Sequence, residues 1–244
     1  QWPDAAVIPH HSSITPLDAM TIEFWVQADG PWGRAITKRP GNGGCYTVEV
    51  NHDGVGCDAH VNIFGGGCLS GGWDEIPCSW MHLAVTVDGA SGTTRVYANG
   101  VLVGEGVLGS ECTIGQGSWD LRFGNTNDFP STQFIGRLDN IRIWNAPLSE
   151  DDIRHWMVTD ITPEIAATLP DLGGSWNFEN GVADATGINN GWLEGGAVLV
   201  EDQSIFFDCN GNMIPDSQDI ADGTSLDCNT NGIPDECDID EGLE

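Results

Sequence analysis

Large apolar residues alternate with small or polar residues over residues 81–87, and this stretch constrains the possible fold more than any other. A period of two is typical of a β-strand that buries one face and leaves the other polar. Two further strand-like segments, Thr93–Ala98 and Val101–Val107, flank the dipeptide Asn99-Gly100. Asn-Gly between such segments is the strongest short-range signal for a type I′ hairpin. The centre of the chain is therefore predicted to be antiparallel β-structure.

Short strands are also predicted through the rest of the first 207 residues. They cover residues 5–9, 20–27, 34–38, 46–50, 59–64, 119–123, 134–144, 175–178 and 197–207. Two short helices are expected, one capped by Ser149 with Asp152 completing a capping box, and one opened by Thr162-Pro163. Together with 33 glycines and 12 prolines, the pattern predicts an all-β fold. The expected architecture is a two-sheet antiparallel jelly-roll sandwich with one or two short helices.

A motif in the last 37 residues occurs twice at a 19-residue offset. Oxygen-bearing side chains fall at positions 1, 3, 5, 9 and 12 of each copy, and position 7 offers a backbone carbonyl, which is the ligand spacing of an EF-hand-type calcium loop. The predicted ligands are Asp208, Asn210, Asn212, Ile214, Asp216 and Asp219 in the first copy, and Asp227, Asn229, Asn231, Ile233, Asp235 and Asp238 in the second. A disordered acidic tail is the alternative, but a random acidic segment would not repeat these residues in register. We therefore predict two Ca²⁺ ions as cofactors.

The two predicted calcium loops differ from a true EF-hand. Met213 stands where the sharp turn of the loop normally needs the glycine that the second copy has at Gly232. Position 12 is Asp instead of a bidentate Glu, which predicts a modest affinity of roughly 10⁻⁴ to 10⁻³ M. Only seven residues separate the copies, too few for paired helices. The segment 208–244 resembles thrombospondin type 3 or dockerin-like repeats, and we expect it to form a unit separate from residues 1–207.

Eight cysteines without a Cys-x-x-Cys pair indicate disulfides and an oxidising, extracellular compartment. Five lie before residue 208 and three after it, so full pairing requires at least one bridge between the two parts. We predict a bridge between Cys228 and Cys237, because the first copy has Gln218 in place of the second cysteine. Cys209 would then connect the tail to the body. A free or intermolecular thiol remains the alternative.

A net charge of −29 argues against nucleic acid and anionic membrane surfaces as partners. Two bound Ca²⁺ ions would lower it only to about −25, so acidity belongs to the whole protein. No apolar run approaches the roughly 20 residues of a membrane span, so membrane insertion is not expected. The chain begins at Gln1 without a signal-peptide pattern, as we expect of a processed secreted protein.

Several motifs, taken in order, are similar to those of laminin G-like domains, which are jelly rolls of the concanavalin type. The matching segments are 21–26, 80–88, 96–103, 136–144 with 147–149, and 176–178 with Asp184 and 195–197. The resemblance covers about residues 5 to 207 and implies a module that recognises a glycan or an extracellular protein. The cysteine-rich segment 41–78 departs from the family pattern.

Catalytic motifs are lacking, and we predict that the protein is not an enzyme. The sequence contains no Gly-x-Ser-x-Gly elbow, no His-Glu-x-x-His and no Gly-rich phosphate loop. Paired carboxylates that meet across the fold remain the open route to glycosidase chemistry. His82 lies on a strand and is expected to be a packed or rim histidine.

The ten tryptophans fall into two groups. Trp25, Trp80, Trp144 and Trp176 coincide with core positions of the family. Trp32, Trp73 and Trp119 lie in predicted loops, where recognition residues gather, and are the candidate ligand-binding residues.

Two functions therefore remain open. The first is a secreted, non-catalytic binding module with a calcium-rigidified tail. The second is a structural subunit of an extracellular fibre or surface layer, joined to copies of itself through the calcium-loaded tail.

Overall fold

The computed structural model of the chain describes residues 4–29, 33–38, 46–50, 60–61, 71–72, 80–107, 117–125, 133–200, 216–228 and 234–235. The strands in these ranges are β1 Ala5–Ile8, β2 Ala19–Ala28, β3 Gly33–Lys38, β4 Tyr46–Val50, β5 His60–Val61, β6 Gly71–Gly72, β7 Met81–Asp88, β8 Thr93–Ala98, β9 Val101–Val107, β10 Leu121–Phe123, β11 Gly136–Trp144, β12 Leu172–Trp176 and β13 Trp192–Glu194. The helices are α1 Glu150–Met157, α2 Pro163–Ala166 and α3 Asp216–Asp222, with a 3-10 turn at Ser12–Ile14. None of the helices in the described ranges has the length and hydropathy that a bilayer span requires.

Two antiparallel sheets face each other. The first has the strand order β13-β1-β10-β3-β4, and the second has the order β12-β11-β2-β7-β8-β9. Strands β5 and β6 form a separate two-residue pair. The prediction of an all-β, two-sheet jelly-roll sandwich with few helices is confirmed.

The core lies between the sheets and contains the residues that the alternation predicted. Met20, Ile22, Phe24 and Val26 of β2 all belong to one buried cluster, as do the apolar positions of β7. Each such side chain contributes about 1.5–3 kcal/mol relative to an exposed position. Trp176 of the second sheet is buried, and its ring centroid lies 5.2 Å from that of Phe123 of the first sheet, so the two sheets pack together there.

The predicted hairpin forms as a type I′ turn between β8 and β9. Asn99 has φ 47° and Gly100 has φ 73°, and both central residues of this turn type require positive φ. The Asn99 side chain also accepts a hydrogen bond of 2.9 Å from the backbone N–H of His82. The turn is thereby fixed to the neighbouring strand β7.

Helix α1 covers the outer face of the second sheet. Ser149 and Asp152 form the predicted capping box, and Ile153 and Met157 are buried against the strands. The indole N–H of Trp25 donates to the carbonyl of Met157 at 3.0 Å. Both faces of the central strands are consequently buried.

Two strand predictions near the end of the sandwich were wrong in position. Strand β12 ends at Trp176, because Asp184 accepts the backbone N–H of Ser175 and Phe178 turns to φ 59°. Residues 197–200 form no strand, since β13 ends at a turn with Gly195 at φ 66°, and Val198 and Val200 are both exposed. The remaining part of that predicted strand lies outside the described residues.

Candidate functional site

A cleft of about 560 Å³ lies at the end of the sandwich where β1 ends and β2 begins. The ends of four strands meet there, because Ile8 pairs with Leu121 and Trp144 pairs with Thr21. Its lining includes His10, Ser12, Thr15, Leu17, Asp18 and Asn145. The site is thus made by the loop between the two sheets, with contributions from residues far away in sequence.

The loop that carries most of the cleft is held in place by its own buried contacts. Ile14 is buried, and its carbonyl accepts a 3.0 Å hydrogen bond from the hydroxyl of Tyr46. Asn145 donates to the carbonyl of Ser13 at 3.0 Å, and the Ser13 hydroxyl donates to Asn189 at 3.1 Å. A loop anchored at successive residues needs little ordering when a ligand binds, which favours affinity.

His10 lies at one wall of the cleft between a carboxylate and an ammonium group. Its backbone N–H donates to Asp120 at 3.0 Å, and the Nζ of Lys38 lies 3.2 Å from its Nδ1. Lys38 also donates to the carbonyl of Trp119. Partial burial and the charge of Lys38 lower the pKa of His10, with Asp120 acting in the opposite direction and His11 in the same one. The imidazole is therefore neutral at pH 7.

Trp119 is the one predicted ligand-binding tryptophan within the described residues, since Trp32 and Trp73 lie outside them. Its ring is half-buried against the core cluster and lies over Gly117, another lining residue. A Cβ at Gly117 would meet this ring at 1.8 Å, and Gly117 has φ 124°. Only glycine allows the indole to lie there, so Trp119 supports the wall of the cleft.

The cleft offers a ligand several kinds of contact. The carboxylate of Asp18 accepts hydrogen bonds, the hydroxyls of Ser12 and Thr15 donate and accept them, and neutral His10 retains one N–H donor. Leu17 is 67% exposed beside them, so apolar surface lies next to the polar groups. Such a lining suits a small ligand that is rich in hydroxyl groups and has an apolar face.

Four of the twelve predicted calcium ligands lie in the described ranges: Asp216, Asp219, Asp227 and Asp235. The other eight are Asp208, Asn210, Asn212, Ile214, Asn229, Asn231, Ile233 and Asp238, and they lie outside. Within the described residues, His, Cys, Asp and Glu side chains form no group of three that could hold a metal ion. The calcium loops therefore remain a prediction.

The described part of the tail has two structural features at the predicted ligand positions. Asp216 and Asp219 are 1% and 0% exposed in α3, and the Thr224 hydroxyl donates to Asp219 at 2.6 Å. In the second copy, Asp235 accepts a 2.8 Å hydrogen bond from the N–H of Cys228 and donates its own N–H to Leu226. Asp235, at position 9 of that copy, is therefore held close to the residues around Asp227 at position 1.

Of the two cysteines in the predicted bridge between Cys228 and Cys237, only Cys228 lies within the described residues. Cys228 is exposed and forms no disulfide with another described residue, and the pKa of its thiol is raised by its hydrogen bond to Asp235 and by the charges of Asp235 and Asp227. Cys237 lies outside the described residues, and so does Cys209. The pairing remains a prediction.

A second polar cluster is inaccessible to any substrate. Glu23 and His82 are both 0% exposed, with 3.4 Å between Glu23 Oε2 and His82 Nε2. Arg142 completes the cluster under α1, where it lies 3.5 Å from Glu23. A carboxylate next to an imidazole is a common acid–base pair, but here helix α1 covers it. His82 is packed, in agreement with the sequence prediction.

Sequence reasoning missed the cleft residues because they come from separate segments. The segment of residues 10–13 lies between the predicted strands 5–9 and 20–27. Its run of two histidines and two serines, bounded by Pro9 and Pro16, is a polar cluster at a junction between two strands. That local signal could have marked the loop, although it could not have placed Asn145 or Gly117 beside it.

The architecture defines a class, the two-sheet jelly rolls, and the anchored cleft lies among the loops that connect the strands. The chain belongs to a laminin G-like family of this class, described as the concanavalin A-like lectin/glucanases superfamily, which matches residues 3–154. Of the curated proteins, none matches the sequence.

Several solved structures are similar in fold. One is a protein from Bacteroides ovatus ATCC 8483 with a proposed carbohydrate-binding role, which is 19% identical with a TM-score of 0.62 over 80% of this chain. This chain spans 59% of that protein. A SAP-like pentraxin from Limulus polyphemus is 16% identical, with a TM-score of 0.49 over 63% of this chain and 76% of the other. The CBM40 of a Ruminococcus gnavus sialidase, bound to α2,3 sialyllactose, is 14% identical with a TM-score of 0.46, over 63% of this chain and 93% of the other.

Proposed function

We propose that this chain is a non-catalytic glycan-binding module of an extracellular protein. The observation that carries the proposal is the anchored cleft of about 560 Å³, in which polar side chains lie next to exposed Leu17. Sugars present hydroxyl groups around an apolar carbon face, so they need both kinds of contact. The volume lies within the range of about 300–1,000 Å³ that is typical of small-molecule sites.

A binding role without catalysis agrees with the chemistry of the described groups. Glu23 and His82 have the right types for acid–base catalysis, but both are buried beneath α1. In the cleft, Nδ1 of His10 is engaged by the ammonium of Lys38, which weakens it as a proton acceptor. A general base must reach the proton that it removes, and neither pair meets that requirement.

We also infer that the tail binds two Ca²⁺ ions. Oxygen-bearing side chains recur in the same order and at the same spacing in both copies, and two of the predicted ligands, Asp216 and Asp219, are buried in the same helix, α3. Ca²⁺ prefers carboxylate and carbonyl oxygens, which this spacing supplies. Bound Ca²⁺ would hold the two repeats as a rigid extension of the sandwich.

Glycan binding is tested with the whole chain in calcium-containing buffer. A glycan array identifies a ligand, and calorimetry then compares the parent with His10→Ala and with the matched control His155→Ala, an exposed histidine that does not line the cleft. We expect His10→Ala to weaken binding at least tenfold and His155→Ala to leave it unchanged. Silence on the array, or equal effects of the two variants, would contradict the proposal.

Calcium binding is tested by equilibrium dialysis. We expect about two Ca²⁺ per chain with Kd of roughly 10⁻⁴ to 10⁻³ M, as for extracellular calcium modules. Asp219→Asn should remove one of them. The matched control Asp222→Asn, an exposed residue in the same helix outside the predicted ligand positions, should retain both. Retention of both ions by Asp219→Asn would exclude it as a ligand.

A further inference from the structure

We propose that the cleft selects uncharged, hydroxyl-rich saccharides and rejects glycans that carry a carboxylate or sulfate group. Asp18 and the neutral ring of His10 are the residues that make this selection, and Lys38 positions His10. The inference rests on the proposed glycan-binding function and names the class of ligand that the same cleft takes.

Acidic groups dominate the charge around the cleft. Asp18 is an exposed lining residue, and its backbone is fixed because its carbonyl accepts a 2.8 Å hydrogen bond from Gly89. The exposed Asp120 lies next to the lining residue His10, whose backbone N–H donates a hydrogen bond to the Asp120 carboxylate. A carboxylate accepts hydrogen bonds from sugar hydroxyls but repels a second anion. The net charge of −29 adds a repulsive field over the whole surface.

Basic groups near the cleft are already committed to other contacts. Among the described residues that line it there is no Lys or Arg. Lys38 is 0% exposed, and its ammonium donates inward to Trp119 and His10, so a ligand cannot reach it. On the same sheet, Arg34 pairs with Glu49 at 2.9 Å and Arg122 pairs with Glu194 at 2.7 Å. An acidic sugar would therefore find no accessible cation in the described cleft.

The contact with Lys38 also decides which proton His10 carries. An ammonium group has donors only, so Nδ1 of His10 must act as the acceptor. The ring proton then lies on Nε2, and the ring stays uncharged while Lys38 is in place. An uncharged N–H donates to a hydroxyl or ring oxygen of a sugar, whereas an imidazolium would attract an acidic one. Lys38 thus acts on the ligand through His10 without touching it.

The test uses an array on which the same oligosaccharide cores are printed in neutral, sialylated and sulfated forms. The whole chain is applied in calcium at pH 7.5, first at low salt and then at about 0.5 M NaCl. We expect the neutral cores to bind at least tenfold more tightly than their acidic forms at low salt. The difference should shrink at high salt, because exposed charges are screened there.

Two variants separate the roles of the residues. Asp18→Asn, on the exposed surface, should reduce the preference for neutral over sulfated cores several-fold. Lys38→Met should release Nδ1 of His10, so that the ring can take up a second proton in acid and acidic cores bind more tightly at pH 5.5 than at pH 7.5. A melting curve for each variant shows whether it is folded, and the exposed Asp18→Asn carries the test if Lys38→Met is not.

Failure of this inference is distinct from failure of the proposed function. Acidic cores that bind as tightly as neutral ones, or more tightly, would overturn the selectivity and leave glycan binding intact. An unchanged preference in a folded Asp18→Asn would remove that residue from the selection. Absence of binding to every core would overturn the proposed function, and this inference with it.

Discussion

Replacing Glu23 by Gln is expected to destabilise the sandwich more than any exposed charge substitution. Arg142 lies directly opposite Glu23 across β2 and β11, and both side chains are almost completely buried. Burial raises the pKa of Glu23, but the contact with His82 and the charge of Arg142 outweigh it and hold the pKa below its ordinary value. Glu23 is therefore ionised at neutral pH, and it is the counter-charge of a buried guanidinium.

The magnitude follows from the contacts that the substitution leaves behind. The glutamine oxygen could still accept the 2.9 Å hydrogen bond from the Trp144 indole, so that contact is kept. Arg142 would retain its bonds to the carbonyls of Trp156 and Thr159, but its charge would be buried without compensation. Removing one partner of a buried pair costs about 3–5 kcal/mol. For a chain of this size that corresponds to a fall in Tm of about 6–20 °C.

A matched control lies on the same sheet. Glu105 pairs with Arg95 at 2.8 Å, but its side chain is 55% exposed. Exposed pairs contribute about 0–1 kcal/mol, so Glu105→Gln should have little effect. Urea unfolding followed by tryptophan fluorescence gives both free energies of unfolding. Equal losses in the two variants, or a loss below about 1 kcal/mol for Glu23→Gln, would refute the reasoning.

Three further predictions concern stability and assembly. Burial lowers the pKa of His82 from its ordinary value of 6.5, although Glu23 acts in the opposite direction. The unfolded chain therefore takes up the proton at a higher pH than the folded one, so the free energy of unfolding should be full above pH 6.5 and fall below it by up to about 1.4 kcal/mol per pH unit. Urea titrations of the parent and His82→Gln at several pH values check this, and equal slopes of the free energy of unfolding against pH would contradict it. Gly100→Ala should destabilise the fold by about 2–4 kcal/mol and Gly92→Ala by about 1–2 kcal/mol. Both glycines have positive φ, but only a Cβ at Gly100 would lie 2.6 Å from the Arg154 side chain. Equal losses in thermal melts would show that the contact with Arg154 has no effect. Light scattering in 10 mM Ca²⁺ should show a monomer, whereas calcium-dependent filaments would favour a structural subunit. Thermal melts should show a higher Tm in Ca²⁺ than in EDTA, because binding raises the free energy of unfolding by about 1.4–2.7 kcal/mol per site for Kd of 10⁻³ to 10⁻⁴ M.

Features with local causes were predictable from sequence. The type I′ turn depends on two adjacent residues that tolerate positive φ, and Asn99 and Gly100 supply them. The start of α1 depends on Ser149 and Asp152, three residues apart, and the capping box forms as predicted. The faces of β2 and β7 follow from a period of two, which does not depend on the rest of the fold.

Features that depend on long-range contacts were not predictable in this way. Strand β12 begins three residues and ends two residues earlier than predicted, because the carboxylate of Asp184 connects Ser175 of the strand to Thr186 and Asn189 of the loop that follows it. Helix α3 begins at Asp216, inside what the spacing indicated to be a calcium loop. The cleft needs Gly117 and Asn145 beside the loop after β1, and no local pattern connects them.

The alternation in β2 and β7 predicted which side each residue faces, but it did not predict whether that side is exposed. Glu23 and His82 lie on the polar face, as the pattern requires, yet α1 covers this face and removes both from water. The same arrangement links the buried charges to the cleft. Arg142 and Asn145 belong to one short segment: Arg142 binds the end of α1, and Asn145 holds the loop at Ser13. Loss of the Glu23 charge should therefore loosen this segment and weaken the proposed glycan binding even at temperatures where the sandwich stays folded.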